Sequence, residues 1–139
     1  MEDKIFVYCD GGARGNPGPA ASAFVAIQNG KVIQKGSKYL GKATNNVAEY
    51  GSVILALTWL LKNYKSASDL EIAVNLDSEL VTKQMAGLYK VKNPKLKEMY
   101  TIGKRLESKL STKIVYKWTP RDKNRLADFL VNKELDKRS

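Results

Sequence analysis

A chain of 139 residues, 43% apolar and with a mean hydropathy of -0.37, has the size of one domain and lacks the ~20-residue apolar run that a membrane helix needs. Its 24 Lys+Arg against 14 Asp+Glu leave a formal charge of +10, which suits a polyanion such as nucleic acid or an anionic membrane face. Histidine is absent and Cys9 is the only cysteine, so nucleophile systems built on histidine, histidine-rich zinc sites, thiolate clusters and intrachain disulfides are all excluded, and chemistry must run on carboxylates.

Ile5 to Cys9 is a short continuous apolar run, the pattern of a strand covered on both faces, and it stops at Asp10. Gly11 to Pro19 is dense in Gly, Asn and Pro and predicts a loop. Ala23 to Ile27 predicts a second strand, and Asn29-Gly30 predicts a tight hairpin into an antiparallel third. Thr44-Asn45-Asn46 opens a helix in which Val47, Tyr50, Ile54, Leu57, Leu61 and Tyr64 recur at spacings of three and four. Leu70, Ile72, Val74 and Leu76 alternate as in a strand, after which Asp77-Ser78-Glu79-Leu80 begins a helix that Gly87 ends. Pro94 suits the first turn of a basic helix reaching Leu110. Ile114 to Trp118 predicts a fifth strand, and Asp122 to Leu135 a closing helix. The class is therefore α/β, in the order βββαβ(αα)βα, with residues 1–139 as one domain. Cys9 reads as a small buried hydrophobe, and Trp59 and Trp118, each inside an apolar periodic element, are assigned to the core. The charge is uneven. Between Lys83 and Lys117 ten basic residues meet only Glu98 and Glu107, so this stretch carries +8 and the other 104 residues carry +2.

The right-handed crossover rule makes the strand after the long helix parallel to a strand of the opening meander. If that neighbour is the first strand, Asp10 and Asp77, each the first residue past its strand, emerge side by side at the carboxyl edge of the sheet, where open α/β sheets hold their ligands. Taken singly, Asp10 can be a turn former, Glu49 a capping residue reaching back to Asn46, and Asp77 an N-cap. Asp128, with Asn124 and Asn132 one helical turn to either side, can be part of a solvated stripe. Together, the inferred topology gathers all four carboxylates at one edge. Clustered carboxylates repel unless a cation neutralises them, and hard Mg²⁺ or Mn²⁺ ions take oxygen ligands. Two such ions roughly 4 Å apart can activate a water and stabilise the leaving oxygen of a phosphodiester without histidine.

The stretches Asp10-Gly11-Gly12-Ala13-Arg14-Gly15-Asn16-Pro17-Gly18-Pro19, Thr44-Asn45-Asn46-Val47-Ala48-Glu49-Tyr50, Asp77-Ser78-Glu79-Leu80-Val81, and Pro120-Arg121 with Asn124 and Ala127-Asp128 resemble type 1 ribonuclease H. The resemblance runs in order over essentially the whole chain. It implies the ribonuclease H-like fold, a five-stranded mixed sheet flanked by helices, and hydrolysis of the RNA strand of RNA–DNA hybrids with two Mg²⁺ ions, Mn²⁺ able to substitute, leaving 5′-phosphate and 3′-hydroxyl ends. By the same resemblance Asp10, Glu49, Asp77 and Asp128 are the catalytic metal ligands. Asp10 bridges both ions, Glu49 and Asp77 complete one shell, and Asp128 the other. Glu49 also accepts from an RNA 2′-hydroxyl. Gly11, Gly12 and Ser78 match positions that approach the RNA, Thr44 and Asn46 match a DNA-phosphate site, and Asn16 and Asn45 match hybrid-contacting asparagines.

Two departures from the family pattern stand out. Many members carry a loop histidine before the last helix; here Arg121 is the nearest residue, unable to act as a base and assigned to product release by electrostatic attraction. The long basic protrusion of some members is missing, which marks the compact form, and Lys90, Lys92 and Lys95 with Lys97 are left as a smaller basic rim. Expected partners are RNA–DNA hybrid, with double-stranded RNA a further candidate, and no membrane. The alternatives are a non-catalytic hybrid-binding module and a ribonuclease H domain cut from a reverse transcriptase; all four carboxylates being present weighs against the first, and the Met1 start and Ser139 end favour a standalone chain over the second. A single cysteine and a start without an apolar leader predict a reducing, cytoplasmic setting, and a monomer is expected.

Overall fold

Strands β1 (Lys4–Ala13), β2 (Gly18–Gln28) and β3 (Lys31–Ala43) form an antiparallel meander in the computed structural model, which describes residues 4–138. Met1 and Ser139, on which the standalone expectation rests, lie outside the described residues. The β2–β3 turn sits at Asn29 and Gly30, whose φ values of 54° and 75° are the left-handed conformations a two-residue hairpin demands. There follow α1 (Asn45–Tyr64), β4 (Glu71–Leu76), α2 (Glu79–Met85), α3 (Pro94–Ser108), β5 (Ile114–Trp118) and α4 (Arg125–Asp136). The sheet order is β3-β2-β1-β4-β5, with β4 parallel to both β1 and β5. This is the mixed five-stranded sheet expected from the sequence, and β1 is the neighbour that the crossover places beside β4.

Strand alternation divides the core. Ile5, Val7 and Cys9 of β1 and Phe24 and Ala26 of β2 join Tyr50, Val53, Leu57 and Leu60 of α1 in the larger cluster. Ala21 and Ala23, with the opposite parity on β2, pack against Val131 and Leu135 of α4. Helices α1 and α4 thus cover opposite faces, and the small alanines let α4 lie close to the sheet. The buried stripe of α1 runs through Ala48, Tyr50, Val53, Ala56, Leu57 and Leu60, with the predicted Val47, Leu61 and Tyr64 along its margin. No helix among the described residues is long and apolar enough to cross a membrane.

Three expectations need correction. The segment 11–19 is mostly not a loop: β1 continues through Gly11, Gly12 and Ala13, paired with Ser22, Ala21 and Ala20, and only residues 14–17 lie outside strands. Asp10 is therefore inside β1 rather than just past it. The closing helix starts at Arg125, after a single 3₁₀ turn over Arg121–Lys123. Trp118 is 54% exposed, because β5 is an edge strand with one neighbour, whereas Trp59 does pack against the core beside Phe24 and Tyr64.

Candidate active site

The parallel register of β1 and β4 sets Cys9 opposite Leu76, so the next residue on each, Asp10 and Asp77, stand together at the carboxyl edge of the sheet. Helix α1 brings the third carboxylate. Its N-cap is Thr44, whose hydroxyl accepts from the Val47 N–H at 3.2 Å, so Glu49 is not needed as a cap. Glu49 Oε1 instead accepts the Gly11 N–H at 2.7 Å. The helix start is also sewn to the end of β1: Asn45 Oδ1 accepts from Ala13 N–H at 2.8 Å, and the Asn45 N–H donates to Asn16 Oδ1 at 2.9 Å. Ser78, rather than Asp77, caps α2 by accepting from Val81 N–H. Asp77 is left free of capping duty.

Asp10, Glu49 and Asp77 each offer an oxygen, and these oxygens lie within 4.8 Å of one another. Glu49 Oε2 is buried and has no hydrogen-bond partner. Burial, with the charges of Asp77 and Asp128 added, pushes Asp10 up to about 7, although the adjacent Glu49 carboxyl and the Gly11 N–H pull it down. Glu49 is driven well above the carboxylate range by burial and by Asp10. Asp77 is also raised by burial, with the Asn124 hydrogen bond and the Arg121 charge working the other way. Three crowded, desolvated carboxylates with an unpartnered oxygen, an all-oxygen donor set, fit a hard divalent cation. Asp128 lies on the same cleft, of about 320 Å³, which is also lined by Gly11, Gly12, Asn45, Asn46, Ser78 and Arg121, but it stands outside the close triad.

The family model described as "Reverse transcriptase-like" matches residues 8–134. Over 141 residues the chain is 35% identical to "Ribonuclease HI" of Halobacterium salinarum, covering 96% of this chain and 65% of that protein. LC11-RNase H1, solved in complex with an RNA/DNA hybrid, superposes with a TM-score of 0.92 at 43% identity, covering 96% of this chain and 98% of that one. The chain belongs to the type 1 ribonuclease H family. It is also 40% identical over 135 residues to "Bifunctional protein Rv2228c" of Mycobacterium tuberculosis, covering 96% of this chain but only 36% of that protein. The chain thus spans about a third of the length of this longer relative.

In this ribonuclease H family member the structure brings Asp10, Gly11, Gly12, Asn45, Asn46, Glu49, Asp77, Ser78, Arg121 and Asp128 onto one cleft. Thr44 and Asn16 are next to it through the helix cap and the Asn45 N–H. Lys90 and Lys92, on the connection between α2 and α3, and Lys95, in the first turn of α3, are exposed and do not line the cleft. Gln84 braces that connection: Tyr50 Oη donates to Gln84 Oε1 at 2.6 Å, and Gln84 Nε2 donates to the Lys90 carbonyl at 3.3 Å. Sequence reasoning missed Arg14 and undervalued Asn132. Asn132 Nδ2 donates to the Asp128 carbonyl and carboxylate at 3.1 and 3.4 Å, and Arg14 donates to Asn132 Oδ1 and to Asp136. The spacing of four between Asp128 and Asn132 was the available signal. Trp118, exposed beside the site, donates its indole N–H to the Asp77 carbonyl at 3.2 Å.

Proposed function

We propose that the protein is an endoribonuclease that hydrolyses the RNA strand of RNA–DNA hybrids, leaving 5′-phosphate and 3′-hydroxyl ends. The observation that carries this is the close triad of buried Asp10 and Glu49 with half-buried Asp77, the Glu49 Oε2 atom unpartnered, on the cleft that Asp128 shares. In this reading Asp10, Glu49 and Asp77 would hold one Mg²⁺ and Asp10 with Asp128 a second, with Mn²⁺ able to replace either; when bound, such ions would supply an activated water and charge neutralisation at the leaving oxygen.

The chain's own residues seat the substrate. Gly11, Gly12 and Ser78 line the cleft with little or no side chain, so the backbone of an RNA strand can come close and its 2′-hydroxyl, the group that separates RNA from DNA, can be felt. Asn16 and Asn45 have their carboxamide oxygens engaged, which leaves their NH₂ groups for the hybrid. Thr44 and Asn46, at the start of α1, present a hydroxyl and an amide near N–H groups suited to a DNA-strand phosphate. Arg121, exposed at the cleft rim, attracts the product phosphate during release. The basic stretch 83–117 supplies long-range attraction. The hybrid bound to LC11-RNase H1, a neighbour at 43% identity, favours the same substrate class here.

A cytoplasmic monomer in which residues 1–139 act as one domain completes the proposal, in keeping with a lone buried thiol. The test offers labelled RNA–DNA hybrid, double-stranded RNA, single-stranded RNA and DNA, with Mg²⁺, Mn²⁺ or chelator. Hybrid cleavage that needs the metal is expected. Cleavage in chelator, or hybrid binding without cleavage under every metal, would overturn the proposal.

A further inference from the structure

Asn124 is the N-cap residue of α4 and is of the type that normally caps, yet its side chain makes no capping hydrogen bond. The other α-helices are capped by side chains: Thr44, Ser78 and Asn93 each accept from the N–H three residues on. Asn124 is turned inward and is 1% exposed. Its Nδ2 donates to the Cys9 carbonyl at 2.8 Å and to Asp77 Oδ2 at 3.3 Å. One amide group therefore links α4 to β1, at the residue before Asp10, and to the carboxylate that follows β4. Both partners are acceptors, so the amide has only one sense. Reversing it would set Oδ1 against a carbonyl and a carboxylate. Oδ1 itself is buried without a partner, a cost the fold accepts to keep the NH₂ where it is.

We propose that Asn124 is a positioning residue that holds the Asp77 carboxylate in the orientation a divalent cation requires. Because it rests on the metal reading of the cleft, its test must separate the two. The hydrogen bond takes one lone-pair direction of Oδ2 and fixes the carboxylate torsion, leaving the remaining lone pairs for a cation. Partners that orient metal-binding carboxylates in this way typically govern metal affinity by roughly 10–100-fold when removed. The Cys9 carbonyl gives Asn124 a rigid anchor, since Cys9 is fully buried in the main core.

Mn²⁺ binding without substrate, followed by calorimetry or by the free-ion electron paramagnetic signal, is the decisive measurement. Asn124→Ala and Asn124→Ser should weaken Mn²⁺ by about tenfold or more, raise the Mg²⁺ concentration for half-maximal cleavage in parallel, and leave KM for hybrid at saturating metal within about twofold. Asn63→Ala, which removes a surface asparagine bonded only to the Trp59 carbonyl of its own helix, should leave Mn²⁺ affinity unchanged. A measurement on the unaltered protein covers the case in which both Asn124 variants unfold. The Asn124 side-chain NH₂ resonances should shift on Mg²⁺ titration with the same saturation as cleavage. Unchanged Mn²⁺ affinity in a folded Asn124 variant, or NH₂ resonances that ignore Mg²⁺, would overturn the role of Asn124 alone. Failure of the unaltered protein to bind Mn²⁺ would overturn the metal reading and this proposal with it.

Discussion

The Gly11 N–H and the Glu49 carboxylate meet at 2.7 Å, joining the strand that carries Asp10 to the helix that carries Glu49. The contact exists because residue 11 has no side chain. A Cβ on Gly11 would lie 2.1 Å from both the carbonyl carbon and oxygen of Ala48 and 2.5 Å from the Glu49 nitrogen, so backbone would have to move. A Cβ on Gly12 would find its nearest neighbour, Val131 Cγ1, at 3.8 Å, an ordinary contact. Gly11→Ala should therefore cost about 3 kcal/mol and lose cleavage, whereas Gly12→Ala should stay within about 0.5 kcal/mol of the parent. Urea unfolding of the pair measures this, and equal losses would contradict it.

The raised carboxylates give the metal-free protein a stability that depends on pH. An acid whose pKa is raised by folding binds more protons in the folded chain, so stability falls as pH rises from the unfolded value, near 4, to the folded one. Asp10 carries this fall up to about 7, and Glu49, driven well above the carboxylate range by burial, acts in the same sense. Between pH 5 and 8 the metal-free melting temperature should drop by on the order of 5 °C, and Mg²⁺ should restore it at the alkaline end. Asp10→Asn should flatten the pH slope, keep hybrid binding and cut turnover by about a thousandfold or more. A melting temperature that climbs over this range would be the contrary result.

Much of this site is legible in the sequence because its geometry follows from topology. Asp77 directly follows a short apolar strand, the crossover rule makes that strand parallel to one of the opening meander, and the observed pairing with β1 then sets Asp77 beside Asp10. The extent of β1 is not legible. Gly11-Gly12-Ala13 has the composition of a turn, but it stays in register with β2 while the Gly11 and Ala13 N–H groups are taken by Glu49 and Asn45, tertiary facts that local propensity does not contain. Trp118 misleads for a related reason: an apolar residue on a five-residue strand carries no sign of whether that strand lies at the edge. Asn124 is visible only as a polar residue one turn before Asp128. Its choice of Cys9 and Asp77 over its own helix depends on how α4 docks on the sheet.

Arg121 lies exposed at the cleft rim, and its charge lowers the Asp77 pKa. A guanidinium stays protonated, so it attracts anions and moves no proton. Arg121→Ala should slow multiple-turnover cleavage by about fivefold while a single turnover with excess enzyme stays within about twofold, because release and not chemistry is affected. Equal slowing of both, or unchanged turnover across Mg²⁺ concentrations, would remove Arg121 from product release.

Lys90, Lys92 and Lys95 test whether the basic excess of the chain serves the substrate. All three are exposed, and the Gln84 bridge between Tyr50 and the Lys90 carbonyl ties their segment to α1, the helix that also carries Glu49. Lys95 lies 3.8 Å from Glu98, an exposed pair too weak to withhold it from a phosphate. Each lysine that neutralises a phosphate contributes a little under one unit to the slope of log affinity against log salt. Replacing all three with alanine should thus raise KM by about tenfold at low salt, flatten that slope by a little under three units, and leave saturating turnover within about twofold. If turnover falls and KM and its salt dependence do not, the lysines act on the fold around Gln84 and the hybrid is held elsewhere.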